Sequence, residues 1–197
     1  MVVRRVLVSI AGIVLLAGIV TVAVDKWPHQ DKVVVIGDSM ALLAADQLRG
    51  TGDSAGYDVE VDGRAGVELS ARVDAIRHAV ASGADRLVIE LGTNDVLANV
   101  PADSLDALVD QTVNDVVSVR CVVFVNVGLL TGPTDLAAHF NERLRITVVP
   151  HTNQHVFDWS STYQRHPNWT ADGVHVQEPF LSFYAQGIID TVGDACR

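Results

Sequence analysis

Three short motifs occur in one order along the 197-residue chain. Gly37-Asp38-Ser39 follows one apolar run, Gly92-Thr93-Asn94-Asp95 follows another, and Asp172-Gly173-Val174-His175 comes near the C-terminus. Ser39 is a candidate nucleophile. Asn94 carries an amide that can donate to a developing oxyanion, and Asp172 with His175 is a candidate acid–base pair. Acyl transfer at a serine needs those parts. The spacing of Asp172 and His175 can bring a carboxylate to the imidazole Nδ1 within one turn, leaving Nε2 free to take the proton of Ser39. In Val61-Asp62-Gly63-Arg64-Ala65-Gly66 a glycine lets backbone approach a ligand closely, and Gly66, ahead of Gly63, is the candidate N–H donor. Each motif also has a plainer reading. Ser39 can serve only to cap a helix, Gly-Thr-Asn-Asp is good turn chemistry, and Asp172 with His175 can be a loop aspartate beside an exposed histidine.

The elements that must position these residues alternate. Val33–Ile36, Tyr57–Val61, Arg86–Leu91, Cys121–Val127 and Val156–Asp158 read as strands, being short, apolar and rich in Val and Ile. Met40–Arg49, Leu69–Ala81, Ser104–Val119, Leu136–Val148 and Phe180–Ala195 read as helices. Leu69, Val73, Ile76 and Val80 recur at three and four, which gives one apolar stripe. Pro101 precedes the third helix, and Asp103 or Ser104 can cap it. Regular alternation implies a parallel sheet with helices on both faces. Ligands of such sheets bind beyond the carboxyl ends of the strands. Ser39, the Gly63–Gly66 loop, Asn94 and the Asp172–His175 loop all fall on that rim. The elbow G-x-S-x-G is absent because Ala41 stands where its last glycine would be, which argues against an ordinary α/β-hydrolase.

On these blocks the chain resembles the SGNH, or GDSL-type, hydrolases. Gly37-Asp38-Ser39, Gly66, Gly92-Thr93-Asn94-Asp95 and Asp172-Gly173-Val174-His175 match the family's four blocks in order, and the resemblance covers roughly Val33 to Val192. It implies a three-layer, flavodoxin-like sandwich around a five-stranded parallel sheet. It also implies Ser39 as nucleophile, His175 as base, Asp172 as its partner, and an oxyanion hole of Ser39, Gly66 and Asn94. A closer similarity is to the SGNH domains of bacterial peptidoglycan O-acetyltransferases. It is carried by Val61–Gly66, Val88-Ile89-Glu90-Leu91-Gly92-Thr93-Asn94, Phe140-Asn141-Glu142-Arg143-Leu144, Asp158-Trp159 and His166-Pro167-Asn168-Trp169. That similarity implies a short acyl group on a cell-envelope glycan. It leaves hydrolysis and O-acetyl transfer from a separate membrane acyl-donor partner both open. A non-catalytic envelope-binding domain is a third reading. No metal or organic cofactor is required by this chemistry. His151 and His155 lie four apart, but no further ligand stands at a recognisable spacing.

Composition narrows the setting. The net charge is −10, with no basic cluster, which argues against nucleic acid as a partner. Arg4 and Arg5 precede Val6–Val24, an uncharged run of 19 residues. As a helix it spans roughly 28 Å, close to the hydrocarbon thickness. The arginines favour a cytoplasmic start, which puts the remainder outside. A cleaved signal peptide ending near Thr21-Val22-Ala23 is the competing reading, but the run is long for a signal core. The expected organisation is therefore residues 1–31 as cytoplasmic start, transmembrane signal-anchor and linker, then residues 32–197 as one extracytoplasmic hydrolase domain. Cys121 opens a strand and Cys196 ends the last helix. In a parallel α/β sheet a helix C-terminus lies near strand starts, so a disulfide between them is geometrically possible.

Overall fold

The computed structural model describes residues 31–196. The expected membrane segment lies outside these residues; among the described residues no helix is long and apolar enough to cross a membrane. The strands are β1 (Asp31–Gly37), β2 (Tyr57–Gly63), β3 (Arg86–Glu90), β4 (Cys121–Val125) and β5 (Gln154–Phe157). They form one parallel sheet in the order β2-β1-β3-β4-β5. The helices are α1 (Ser39–Leu43), α2 (Ala45–Ser54), α3 (Val73–Ala81), α4 (Thr93–Leu97), α5 (Ala102–Asp115), α6 (Thr134–Val148), α7 (Trp159–Arg165) and α8 (Leu181–Ala195).

The strands read as unbroken apolar runs because helices cover both faces of the sheet. Side chains alternate between the faces, as the period of two requires. Ile36, Leu87, Ile89, Val122 and Phe124 enter one core with residues of α3, α5 and α6. Val33, Val35, Val88, Val123 and Val125 enter the other with residues of α1, α2, α7 and α8. Each fully buried Val, Leu, Ile or Phe contributes about 1.5–3 kcal/mol, so the central strands are anchored from two sides. Cys121, at the start of β4, is bonded to Cys196, the C-cap of α8, with a Cα–Cα distance of 5.5 Å.

Boundaries differ from the sequence reading where tertiary contacts compete with local pattern. The helix expected over Met40–Arg49 is interrupted at Ala44, whose ψ of 7° leaves the helical range. The helix expected over Leu69–Ala81 begins as a 3₁₀ turn, Leu69–Arg72. There the Leu69 N–H is taken by the Asp95 carboxylate at 2.8 Å. The fully buried Arg72 is drawn onto the Asp62 carboxylate at 2.6 Å. Neither Asp103 nor Ser104 caps α5; Pro101 occupies the N-cap and its carbonyl accepts the first helical bonds. β4 stops at Val125 because the Asn141 side chain bonds both the N–H and the carbonyl of Val127 at 2.8 Å. Asp158 does not extend β5; it caps α7 by accepting from Ser161 N–H at 3.1 Å.

Candidate active site

Parallel pairing aligns the carboxyl ends of three strands. Gly37 is in register with Gly63 on one side and Glu90 on the other. The segments that follow, Asp38-Ser39, Arg64–Gly66 and Leu91–Asn94, therefore leave the sheet side by side. A Cβ on Gly63 would sit 2.7 Å from the Leu42 Cα, so only glycine lets the end of β2 lie against α1. Gly92 turns the chain out of β3 with φ +114°, a conformation L side chains rarely adopt. Gly66 has φ +69°, lies on the exposed part of its loop, and has open space where a side chain would be.

Ser39 is the first residue of α1, but it is not the cap. Asp38 takes that role, its Oδ1 accepting from Met40 N–H at 3.0 Å. The Ser39 hydroxyl is thereby released to another partner, and Oγ lies 2.9 Å from His175 Nε2. On the far side of the ring, Nδ1 lies 2.7 Å from Asp172 Oδ2. Three side chains separated by 133 and 136 positions thus form one hydrogen-bonded chain.

The loop carrying Asp172 and His175 is held closely. Thr170 and Val176 pair as an isolated antiparallel bridge, and Gln177 N–H donates to the Trp169 carbonyl at 2.7 Å. Leu130 N–H donates to the Gly173 carbonyl at 2.9 Å, and the Thr131 hydroxyl donates to the Asp172 carbonyl at 3.1 Å. Val176 N–H reaches the Met40 sulfur at 3.5 Å, which ties the loop to the helix behind Ser39. Asp172 Oδ1 accepts from the N–H groups of His175 at 2.8 Å and Val174 at 2.9 Å, and from the Thr170 hydroxyl at 3.0 Å. Partial desolvation pushes this carboxyl up. The bonds from the His175 ring, the His175 and Val174 backbone and Thr170 outweigh it, holding Asp172 well below the usual carboxylate range. Asp172 is therefore an anion facing Nδ1, which favours the tautomer with Nε2 free to accept.

Asn94, in the first turn of α4, donates from Nδ2 to Asp38 Oδ2 at 3.1 Å. A carboxamide nitrogen has two N–H groups, so the second remains for a ligand. Asp95, next in sequence, is turned inward and fully buried to hold Leu69. His151 and His155 lie near the start of β5, at the opposite end of the sheet from Ser39. Two acidic groups under the site were not singled out from sequence as functional. Asp38 stands in Gly37-Asp38-Ser39, where the serine hydroxyl is the stronger chemical signal. Glu90 is 4% exposed at the end of an apolar strand, and an acid in that position is itself a signal.

No family model matches the chain, and no curated protein does. Solved structures do match. The C-terminal catalytic domain of Streptococcus pneumoniae peptidoglycan O-acetyltransferase A superposes with TM-score 0.68 at 17% identity, over 84% of this chain and 92% of that one. An acetyl xylan esterase, AlAXEase, gives 0.68 at 16% identity, over 82% and 99%. A lipolytic protein of the G-D-S-L family from Veillonella parvula gives 0.68 at 15% identity, over 82% and 98%. Likeness in architecture at such low identity, with the parallel five-stranded sheet and its helices on both faces, shows that this chain has the SGNH, or GDSL-type, hydrolase fold.

Proposed function

We propose that the protein is a serine esterase that acts through an acyl-enzyme. The observation that carries this reading is the hydrogen-bonded chain Ser39–His175–Asp172, at 2.9 and 2.7 Å. His175 Nε2 removes the Ser39 proton as Oγ attacks the ester carbonyl. Asp172 holds the ring and stabilises the imidazolium. The Ser39 and Gly66 N–H groups and the second Asn94 N–H receive the oxyanion. His175 then returns the proton to the departing alcohol. Water deprotonated by the same imidazole releases the acid.

The substrate is a short acyl ester, acetyl in type, carried on a large alcohol such as a cell-envelope glycan. Two observations support this. The His175 and Asp172 side chains are 41% and 54% exposed, so the site opens directly onto the surface and a polymer can reach it. Two of the structural neighbours are an acetyl xylan esterase and a peptidoglycan O-acetyltransferase. The second neighbour favours one further reading, in which a glycan hydroxyl replaces water and a membrane partner supplies the acyl group. We place the domain outside the cytoplasm, held by Val6–Val24 as a single-pass anchor. The Cys121–Cys196 disulfide fits an oxidising compartment.

The test is turnover of 4-nitrophenyl acetate by the full chain, with and without a glycan oligosaccharide, beside Ser39→Ala. Release of free acetate with water alone supports the esterase. Acetylated oligosaccharide as the main product supports transfer. Equal activity in Ser39→Ala overturns both.

A further inference from the structure

The acyl transfer described above gives no part to Glu90, the last residue of β3. Its environment is nevertheless specific. Burying a carboxyl costs several kcal/mol unless it is partnered. The hydrogen bonds to the Glu90 carboxylate oxygen come from the nucleophile turn, and Tyr184 of α8 faces the same carboxyl. Oε2 accepts from Asp38 N–H at 3.2 Å and from Ala41 N–H at 3.1 Å. These residues lie immediately before Ser39 and two beyond it. The Glu90 backbone carbonyl accepts a second bond from Asp38 N–H at 3.1 Å. A Cβ on Gly37 would stand 2.7 Å from Glu90 Oε2. The glycine that opens the Gly-Asp-Ser motif is thus explained by the Ala41 methyl and the Glu90 carboxyl, which together occupy its side-chain space.

The Glu90 carboxyl also lies against the Asp38 carboxyl, so the two can share a hydrogen bond once one of them carries a proton. Asp38 is the better acceptor, because Met40 N–H and Asn94 Nδ2 already donate to its two oxygens. Burial, then the Asp38 charge, push Glu90 well above the usual carboxylate range. Burial raises Asp38 too, and the Met40 N–H bond offsets only part of that rise. The proton belongs on Glu90, which donates to Asp38.

We propose that Glu90 is a positioning residue of this site. Its carboxyl staples the backbone on both sides of Ser39 to β3 and, by donating to Asp38, fixes the Asn94 amide that faces the oxyanion. It touches neither substrate nor the reacting atoms. The inference rests on the serine-esterase reading.

The experiment compares full-length wild type, Ser39→Ala, Glu90→Ala and Glu90→Gln on 4-nitrophenyl acetate. Infrared difference spectra of wild type against Glu90→Gln at pH 7 accompany the kinetics. A glutamine keeps one oxygen for the two backbone N–H groups and offers N–H to Asp38. Glu90→Ala should lower kcat by roughly 100-fold, the scale of one misplaced oxyanion donor, with KM within about threefold. Glu90→Gln should restore most of that loss. The infrared difference should contain a carboxylic-acid C=O band assigned to Glu90. The proposal is overturned by full activity in Glu90→Ala, by a folded Glu90→Gln as impaired as Glu90→Ala, or by the absence of the acid band. Should Glu90→Ala fail to fold, Glu90→Gln and the band still decide. Turnover unchanged in Ser39→Ala defeats the esterase reading instead, while the band reports on the Glu90 proton independently.

Discussion

Replacing Asp172 by asparagine should cost about four orders of magnitude in kcat while leaving the fold intact. Asp172 Oδ1 accepts three donors, the N–H groups of His175 and Val174 and the Thr170 hydroxyl. A carboxamide has one oxygen, so that oxygen stays with the three donors. The amide NH₂ then takes the place of Oδ2, 2.7 Å from His175 Nδ1. Nδ1 must now accept, which moves the ring proton to Nε2, 2.9 Å from Ser39 Oγ. An Nε2–H cannot take the serine proton. Loss of the correct tautomer in a Ser-His-Asp triad is worth ~10⁴ in rate, or about 5 kcal/mol in barrier height. The assay is kcat/KM on 4-nitrophenyl acetate beside a thermal melt of the same variant. A melting temperature near wild type with activity reduced less than tenfold would refute the tautomer argument.

Other consequences are open to measurement. Under the proposed mechanism Asn94→Ala removes one oxyanion donor and should lower kcat by roughly two to three orders of magnitude with little change in KM, read by steady-state kinetics. Removing the disulfide in a Cys121→Ala, Cys196→Ala double variant frees a loop of 75 residues. By chain entropy this costs about 4 kcal/mol, or roughly 8–16 °C in Tm for a domain of this size, read by calorimetry. Stability should respond to pH in two opposite windows. Glu90 is raised in the fold, so the native state holds a proton that the unfolded chain releases. Its contribution therefore grows as pH falls from neutrality toward the ordinary glutamate range. Asp172 is lowered, so its contribution is present above the ordinary aspartate range and is lost as pH falls through its folded value. Urea titrations from pH 7 down to pH 2 should show a rise, then a fall. The rise should be smaller in Glu90→Gln, because burial also raises Asp38 and Asp95.

Much of this molecule is legible in residue order because the relevant signals are local. Val33–Ile36 and Arg86–Leu91 declare buried parallel strands by their apolar runs. The rule that ligands sit beyond the carboxyl ends of such strands collects Ser39, Asn94 and His175 on one rim. Helices running antiparallel to strands make a Cys121–Cys196 pairing possible, and the structure forms it. Short helices were less visible. Thr93–Leu97 and Trp159–Arg165 have five and seven residues, too few to establish a period, and Gly92-Thr93-Asn94-Asp95 reads equally well as a turn.

What tertiary structure alone decided is the assignment of each polar side chain between local and distant partners. By sequence Ser39 caps a helix as plausibly as it attacks an ester. The fold settles its geometry by giving the cap to Asp38 and the Ser39 hydroxyl to a histidine 136 positions away. Arg72 and Asp95 look like surface charges until packing buries them. Glu90 interrupts an apolar strand for no local reason. Its partners, Asp38 and Ala41, stand 52 and 49 positions earlier. Residue order sets which chemical groups reach the rim, because strand ends are local features. It does not set which group bonds which, because a hydrogen bond is decided by ångströms between segments that only folding brings together.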